Sequence, residues 1–257
     1  DIQLDGNGDS VPGDEFVRSF TILASDVTPP SDPAIGSTSP VAGTWSADDT
    51  VEVTWSGATD EVGGSGLAGY SIEWNTTPVS TPDPVVDVAH TTDPHTTTSA
   101  PLADGDSHYF HLSTCDSAGN CTSTVHAGPF WIDATPPSPP GAVSSGSHAI
   151  GTPTADATID VAWGAATDAV SGVFRYEFAF DPNPAGPCTG GSATPGLSAS
   201  SDPLTDGTWY LHVCALDNAG NRGPVSDGGP FVVDSSAPDP AGRLYFSNFL
   251  AGDIRRV

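Results

Sequence analysis

The chain has 257 residues, enough for two domains of about 100 residues that each bury a core. Its 32 acidic residues face six basic ones, all arginine, and a net charge of -26 sets the surface against nucleic acid and anionic membranes. No apolar run approaches the roughly 20 residues that span a bilayer, so no membrane insertion is expected. Asp dominates the acids, with Glu only at positions 15, 52, 61, 73 and 177. Asp favours turns and caps over helix interiors, which points to β-structure with carboxylate-lined loops. The natural partners of such loops are cations, calcium above all; the competing reading is that the charge only maintains solubility. With no start methionine, signal peptide or lipidation motif, the chain reads as processed or excised from something longer.

In chain order, residues 1–25 hold an Asp-rich loop and then Phe16-Val17-Arg18-Ser19-Phe20-Thr21-Ile22-Leu23, which reads as the closing hairpin of a preceding module or an exchanged strand. A long internal repeat follows. Residues 26–134 carry Thr28-Pro29-Pro30, the strand Val51–Trp55, Ala58-Thr59-Asp60, Ser65-Gly66, the aromatic strand Tyr70–Trp74, Leu102-Ala103-Asp104-Gly105, Asp116-Ser117-Ala118-Gly119-Asn120 and Phe130–Asp133. Residues 135–236 repeat the series with Thr135-Pro136-Pro137, Ile159–Trp163, Ala166-Thr167-Asp168, Ser171-Gly172, Tyr176–Phe178, Leu204-Thr205-Asp206-Gly207, Asp217-Asn218-Ala219-Gly220-Asn221 and Phe231–Asp234. A repeat of roughly 100 residues is too long for a solenoid and suits a whole sandwich domain. Inside each unit the apolar residues alternate: Val51, Val53 and Trp55 share a face, as do Tyr176, Phe178 and Phe180, and Leu211, Val213 and Ala215. That period of two predicts half-buried antiparallel strands, with Trp55 and Trp163 between two sheets. Residues 237–257 read as one or two further strands, the start of another module or an exchanged strand; Arg243–Ser247 and Gly252–Val257 resemble the first strands of a six-bladed propeller repeat.

The order of these marks resembles the tandem bacterial Ig-like and fibronectin type III-like modules of large secreted or surface proteins. The resemblance covers roughly residues 26–234 and implies an all-β chain of two tandem antiparallel β-sandwiches, with extra terminal strands belonging to neighbouring modules or subunits. Four cysteines without a metal-type CxxC pair predict two bridges within domains: Cys115 with Cys121 across a short loop, and Cys188 with Cys214. Bridges of this kind place the chain outside the cell or on its surface.

Three groups of oxygen ligands are candidate calcium sites. Asp5, Asn7 and Asp9 alternate around a Gly-rich loop with Asp14 and Glu15 following, like the first half of an EF-hand loop, although Ser10 stands at its glycine position and Phe16 at its closing glutamate position. In a sandwich of the implied topology, the loops after the second and sixth strands meet at one end beside the chain's entry. That end gathers Asp26, Asp60, Asp116 and Asn120 in the first unit, and Asp133, Asp168, Asp217 and Asn221 in the second. Because Asp26 and Asp133 lie in linkers, an ion there stiffens the joint, an arrangement analogous to cadherin arrays. The alternative is that Asp-x-Ala-Gly-Asn is a self-bonded turn with Gly at positive φ.

Catalytic constellations are missing. No Gly-x-Ser-x-Gly elbow, phosphate loop, dinucleotide fingerprint or His-Glu-x-x-His occurs. The close histidine pairs, His90/His95 in a Thr-rich loop and His108/His111 on a strand, read as structural. Asn75-Thr76-Thr77 and Asn120-Cys121-Thr122 fit the N-glycosylation pattern, and the absence of lysine excludes Lys–Asn isopeptide cross-links. The expected function is a non-enzymatic structural role: a filament subunit joined by β-strand exchange with other copies, or a rigid calcium-stiffened spacer between flanking modules. The alternative is an adhesin or carbohydrate-binding accessory of a larger secreted protein, for which Trp45, Trp74, Trp131 and Trp209 are the ring candidates.

Overall fold

The computed structural model describes residues 25–236. The terminal features read from the sequence (the Asp5–Glu15 loop, the Phe16–Leu23 hairpin and the strands of residues 237–257) lie outside the described residues.

Two β-sandwiches follow one another, and no helix forms among the described residues. In the first, β1 (Ala34–Ser39), β3 (Glu52–Ser56) and β6 (His95–Thr98) make a three-stranded sheet in the order β1-β3-β6. Facing it, β2 (Trp45–Ser46), β4 (Leu67–Asn75), β5 (Val88–Ala89), β7 (Gly105–Asp116) and β8 (Val125–Ile132) make a five-stranded sheet in the order β2-β8-β7-β4-β5. The second sandwich repeats this with β9 (Ser144–Ser145), β11 (Asp160–Ala162) and β14 (Ser198–Ser200) against β10 (Pro153–Thr154), β12 (Val173–Asp181), β13 (Ser192–Thr194), β15 (Gly207–Asp217) and β16 (Ser226–Val233). Each repeat unit thus folds as the sandwich of two facing sheets that the sequence predicts.

The expectation of purely antiparallel sheets needs one correction. The opening segment of each module changes sheets, and β2 then runs parallel to β8, as β10 does to β16. In the first module Pro40 follows β1 directly; it has no N–H to donate, so the ladder stops there and the chain is free to cross.

The cores match position by position along the repeat. Trp55, Tyr70, Phe110, Leu112, Phe130 and Ile132 in one module correspond to Trp163, Tyr176, Leu211, Val213, Phe231 and Val233 in the other. Each of these large side chains contributes about 1.5–3 kcal/mol through burial. A second correction concerns β7 and β15. From Phe110 and from Leu211 onward every residue of these strands is buried, on both faces, rather than alternating. The connection after β4 folds across the outer face, where Ser71 Oγ donates to the Asp83 carbonyl at 2.5 Å and Ser80 Oγ to Glu73 at 2.6 Å. In the second module the corresponding connection is bridged to β15 through Cys188–Cys214, which packs with Leu216.

Candidate metal centres at the module ends

Both cysteine pairs are joined as the spacing predicts, Cys115 to Cys121 and Cys188 to Cys214. The first bridge closes the Asp116–Asn120 turn, and its place in the second module is taken by the facing pair Leu216 and Arg222. There Arg222 reaches Glu177 at 2.5 Å and Arg175 reaches the same carboxylate at 2.9 Å. These contacts, Arg222 first, hold Glu177 below the usual carboxylate range.

The Asp-x-Ala-Gly-Asn segment is a tightly bonded turn in both modules. Asp116 Oδ1 accepts the N–H groups of Ala118 and Asn120 at 2.9 and 2.8 Å, and Asp217 Oδ1 accepts that of Asn221 at 2.8 Å. Gly119 and Gly220 take φ of 93° and 95°, where a side chain is strained. The Asn amides bridge outward: Asn120 Nδ2 donates to Asp116 Oδ2 at 2.7 Å and to the Asp26 carbonyl at 3.2 Å, while Asn221 Nδ2 donates to Asp217 Oδ2 at 2.8 Å and to the Asp133 carbonyl at 2.7 Å. It is therefore the amide nitrogen of each Asn that faces the carboxylate.

Around these turns three carboxylates converge at the head of each module. One oxygen from each of Asp26, Asp60 and Asp116 lies within 4.8 Å of the other two, and the same holds for Asp133, Asp168 and Asp217. Asp116, Asp133 and Asp217 are buried. At an effective dielectric of about 20, each pair of charges at this separation repels by about 3 kcal/mol. Backbone donors offset part of that. Asp26 Oδ2 accepts the Ser65 N–H at 2.8 Å and Asp26 Oδ1 that of Thr28 at 3.1 Å, which lowers the Asp26 pKa to about 2. Asp60 Oδ2 accepts the Gly66 N–H at 2.6 Å, and Asp168 Oδ1 that of Gly172 at 2.7 Å. Two oxygens have no donor: Asp60 Oδ1 in the first centre and Ser171 Oγ beside the second are sealed from solvent without a hydrogen-bond partner. Three oxygens drawn to about 4.2 Å of one another lie on a sphere of radius about 2.4 Å, the bond length of calcium to oxygen.

The repeat contains a role that sequence reading missed. Asp104 of Leu-x-Asp-Gly receives the Ala134 N–H at 2.8 Å and the Thr135 hydroxyl at 2.5 Å, so the first module grips the linker. Asp206 does the same for Ser235, at 2.8 and 2.9 Å. The recurrence of this Asp one residue before a strand that begins with Gly was the available signal. The structure also brings His90 and His95, a pair that reads as structural in the sequence, together with Asp93. Of the tryptophans, Trp74 and Trp209 pack against the cores, whereas Trp45 and Trp131 face each other across β2 and β8 with ring centroids 5.4 Å apart.

No protein-family model matches the chain. It is 31% identical over 221 residues to Exoglucanase B of Cellulomonas fimi, an alignment that takes in 84% of this chain and 18% of that protein. The chain thus spans less than a fifth of the relative's length. Among solved structures, the fibronectin(III)-like modules of Clostridium thermocellum CbhA match with a TM-score of 0.41 and 17% identity over 79% of this chain and 95% of theirs. The FN1–FN3 domains of chicken CNTN1 match with a TM-score of 0.40 and 16% identity over 80% and 67%.

Proposed function

We propose that this chain is a pair of non-catalytic accessory modules within a larger secreted, glucan-acting protein, where it serves as a stiff spacer whose joints take up calcium. The observation that carries the spacer role is the linker aspartate Asp133, which is fully buried and tied into the module that follows it. Its carboxylate accepts the Ser171 N–H at 3.0 Å and its carbonyl accepts the Asn221 amide. The next two residues are held from the other side by Asp104. A joint bonded from both modules leaves the linker few torsions of its own. Asp26, Asp133 and Asp234 occupy the same position in the repeat, so units of this kind can be chained. The likeness to an exoglucanase supports the parent's class, and two disulfides support an extracellular setting. A filament assembled by strand exchange rests on segments outside the described residues and has no such support.

Small-angle X-ray scattering of the full chain, with calcium and with EDTA, tests the joint. The expected result is one elongated shape in calcium and a broader spread of lengths after chelation. A spread of lengths that is broad and identical in both conditions would refute the reading.

Direct contact with glucan is a second role, favoured by one observation. Trp45 and Trp131 are half-buried, outside the core cluster of their module, and have no aromatic counterpart in the second module, where Pro153 and Val232 pair instead. Retention on insoluble glucan that disappears in Trp45→Ala and Trp131→Ala supports this role, and no retention of the parent chain excludes it.

A further inference from the structure

The geometry points to a transition-metal site of zinc type in the first module, formed by His90, Asp93 and His95, separate from the carboxylate centres. The three residues lie on the connection that leaves β5 in the five-stranded sheet and enters β6 in the three-stranded sheet. His90 Nδ1 and His95 Nε2 face each other at 3.3 Å, and Asp93 Oδ1 stands 3.6 Å from His95 Nε2. A tetrahedral centre with metal–nitrogen bonds of about 2.0–2.1 Å sets its ligand atoms about 3.3–3.4 Å apart. The two distances from His95 are close to that spacing, and all three groups offer a ligand atom within 4.8 Å of the others.

The donors are held in place by contacts of their own. Asp93 Oδ2 accepts the Gly57 N–H at 2.8 Å, which leaves Oδ1 turned toward the imidazoles. The His95 ring is buried, stacked on Trp55 at 5.8 Å and met edge-on by Tyr70 at 4.8 Å. Tyr70 Oη lies 3.4 Å from His90 Nδ1 and braces that ring from the core side. Two imidazoles and one carboxylate suit zinc, cobalt, nickel or copper, whereas calcium takes oxygen ligands only. Bound there, the ion ties the two sheets together across the sandwich.

The second module has no such site. Leu197, whose carbonyl accepts the Trp163 N–H, stands in the register that His95 holds against Trp55, and the connection Pro195-Gly196-Leu197 offers no ligand. The repeat thus preserves the sandwich while this cluster belongs to one copy, as a feature added to the fold rather than required by it.

Cobalt titration of the full chain in excess calcium tests the proposal, because calcium competes for the carboxylate centres and a tetrahedral cobalt site shows intense visible absorption. One equivalent of cobalt is expected to give that absorption, and zinc is expected to displace it. His90→Gln and Asp93→Asn, both away from the packed core, are each expected to weaken binding by about tenfold or more. Asp93→Asn keeps an oxygen for the Gly57 N–H, so a loss of binding there reports the carboxylate charge rather than a disturbed loop. Absence of the tetrahedral spectrum in the parent chain, or a spectrum unchanged in both variants, overturns the site. Neither outcome depends on whether calcium stiffens the joints.

Discussion

Asp168→Asn separates charge from hydrogen bonding at the second carboxylate centre. Asp168 uses Oδ1 to accept the N–H groups of Gly172 and Val170, at 2.7 and 3.1 Å, and an Asn carbonyl preserves both bonds. What changes is one of three negative charges whose oxygens lie within 4.8 Å of one another. Removing it deletes two repulsive pairs, a gross relief of about 6 kcal/mol at an effective dielectric of about 20. Asp168 is half-exposed, so solvent and salt reduce that to about 1–2 kcal/mol. In EDTA the second module is therefore expected to melt about 5–10 °C higher in the variant. Calcium is expected to reverse the order. At a hundredfold excess over its dissociation constant, a bound ion would add about 2.7 kcal/mol to a parent module and little to one that lacks a ligand charge. Differential scanning calorimetry of both chains in EDTA and in calcium reads all four midpoints. A calcium-induced rise of equal size in parent and variant would refute an ion at this centre, and a variant that melts lower in EDTA would refute the repulsion.

Three further expectations follow from the same structure. Replacing Cys188 and Cys214 by Ala opens a loop with a sequence separation of 26, whereas Cys115 and Cys121 close one of only 6. Chain entropy makes the first loss about 3.5 kcal/mol and the second about 2 kcal/mol, a ranking that urea denaturation of the two double variants checks. Burial, and then the charge of His126, push the His111 pKa down, so the folded first module binds fewer protons there than the unfolded chain. Its stability is expected to be full above the usual imidazole range and to fall as pH drops through it, and His126→Gln is expected to soften that fall. Glu177 is held low by Arg222 and Arg175, so its contribution is complete above the usual carboxylate pKa and is lost as pH falls below it. Denaturation of Arg222→Ala against pH is expected to show a smaller acid loss than the parent chain.

Much of the architecture was legible because its signals are local. Alternation along Val51–Trp55 and Tyr176–Phe180 marks strands, and glycine at positions 119 and 220 marks turns that need positive φ. Cysteines that flank such a turn lie close enough to bridge it, and the repeat carried the strand and turn assignments from one module to the next. The sheet-changing entry segments, the covered outer faces of β7 and β15, and the grip of Asp104 on the linker were not legible in this way. Each depends on partners tens of residues away, such as Asp104 and Thr135 or Asp133 and Ser171, and no periodicity in the sequence reports a hydrogen bond between distant loops. The carboxylate centres stand between the two cases. Composition and the repeat identified the aspartates, but only the folded loops bring Asp133, Asp168 and Asp217 to one point. His90, Asp93 and His95 show the reverse: six residues of sequence hold all three donors, yet their lone pairs converge only because Trp55, Tyr70 and the Gly57 N–H orient them from other strands and loops. By itself the sequence determined which residues alternate, turn and repeat; which side chains meet was decided by the packing of two sheets, because that packing sets the distance between segments that the chain keeps apart.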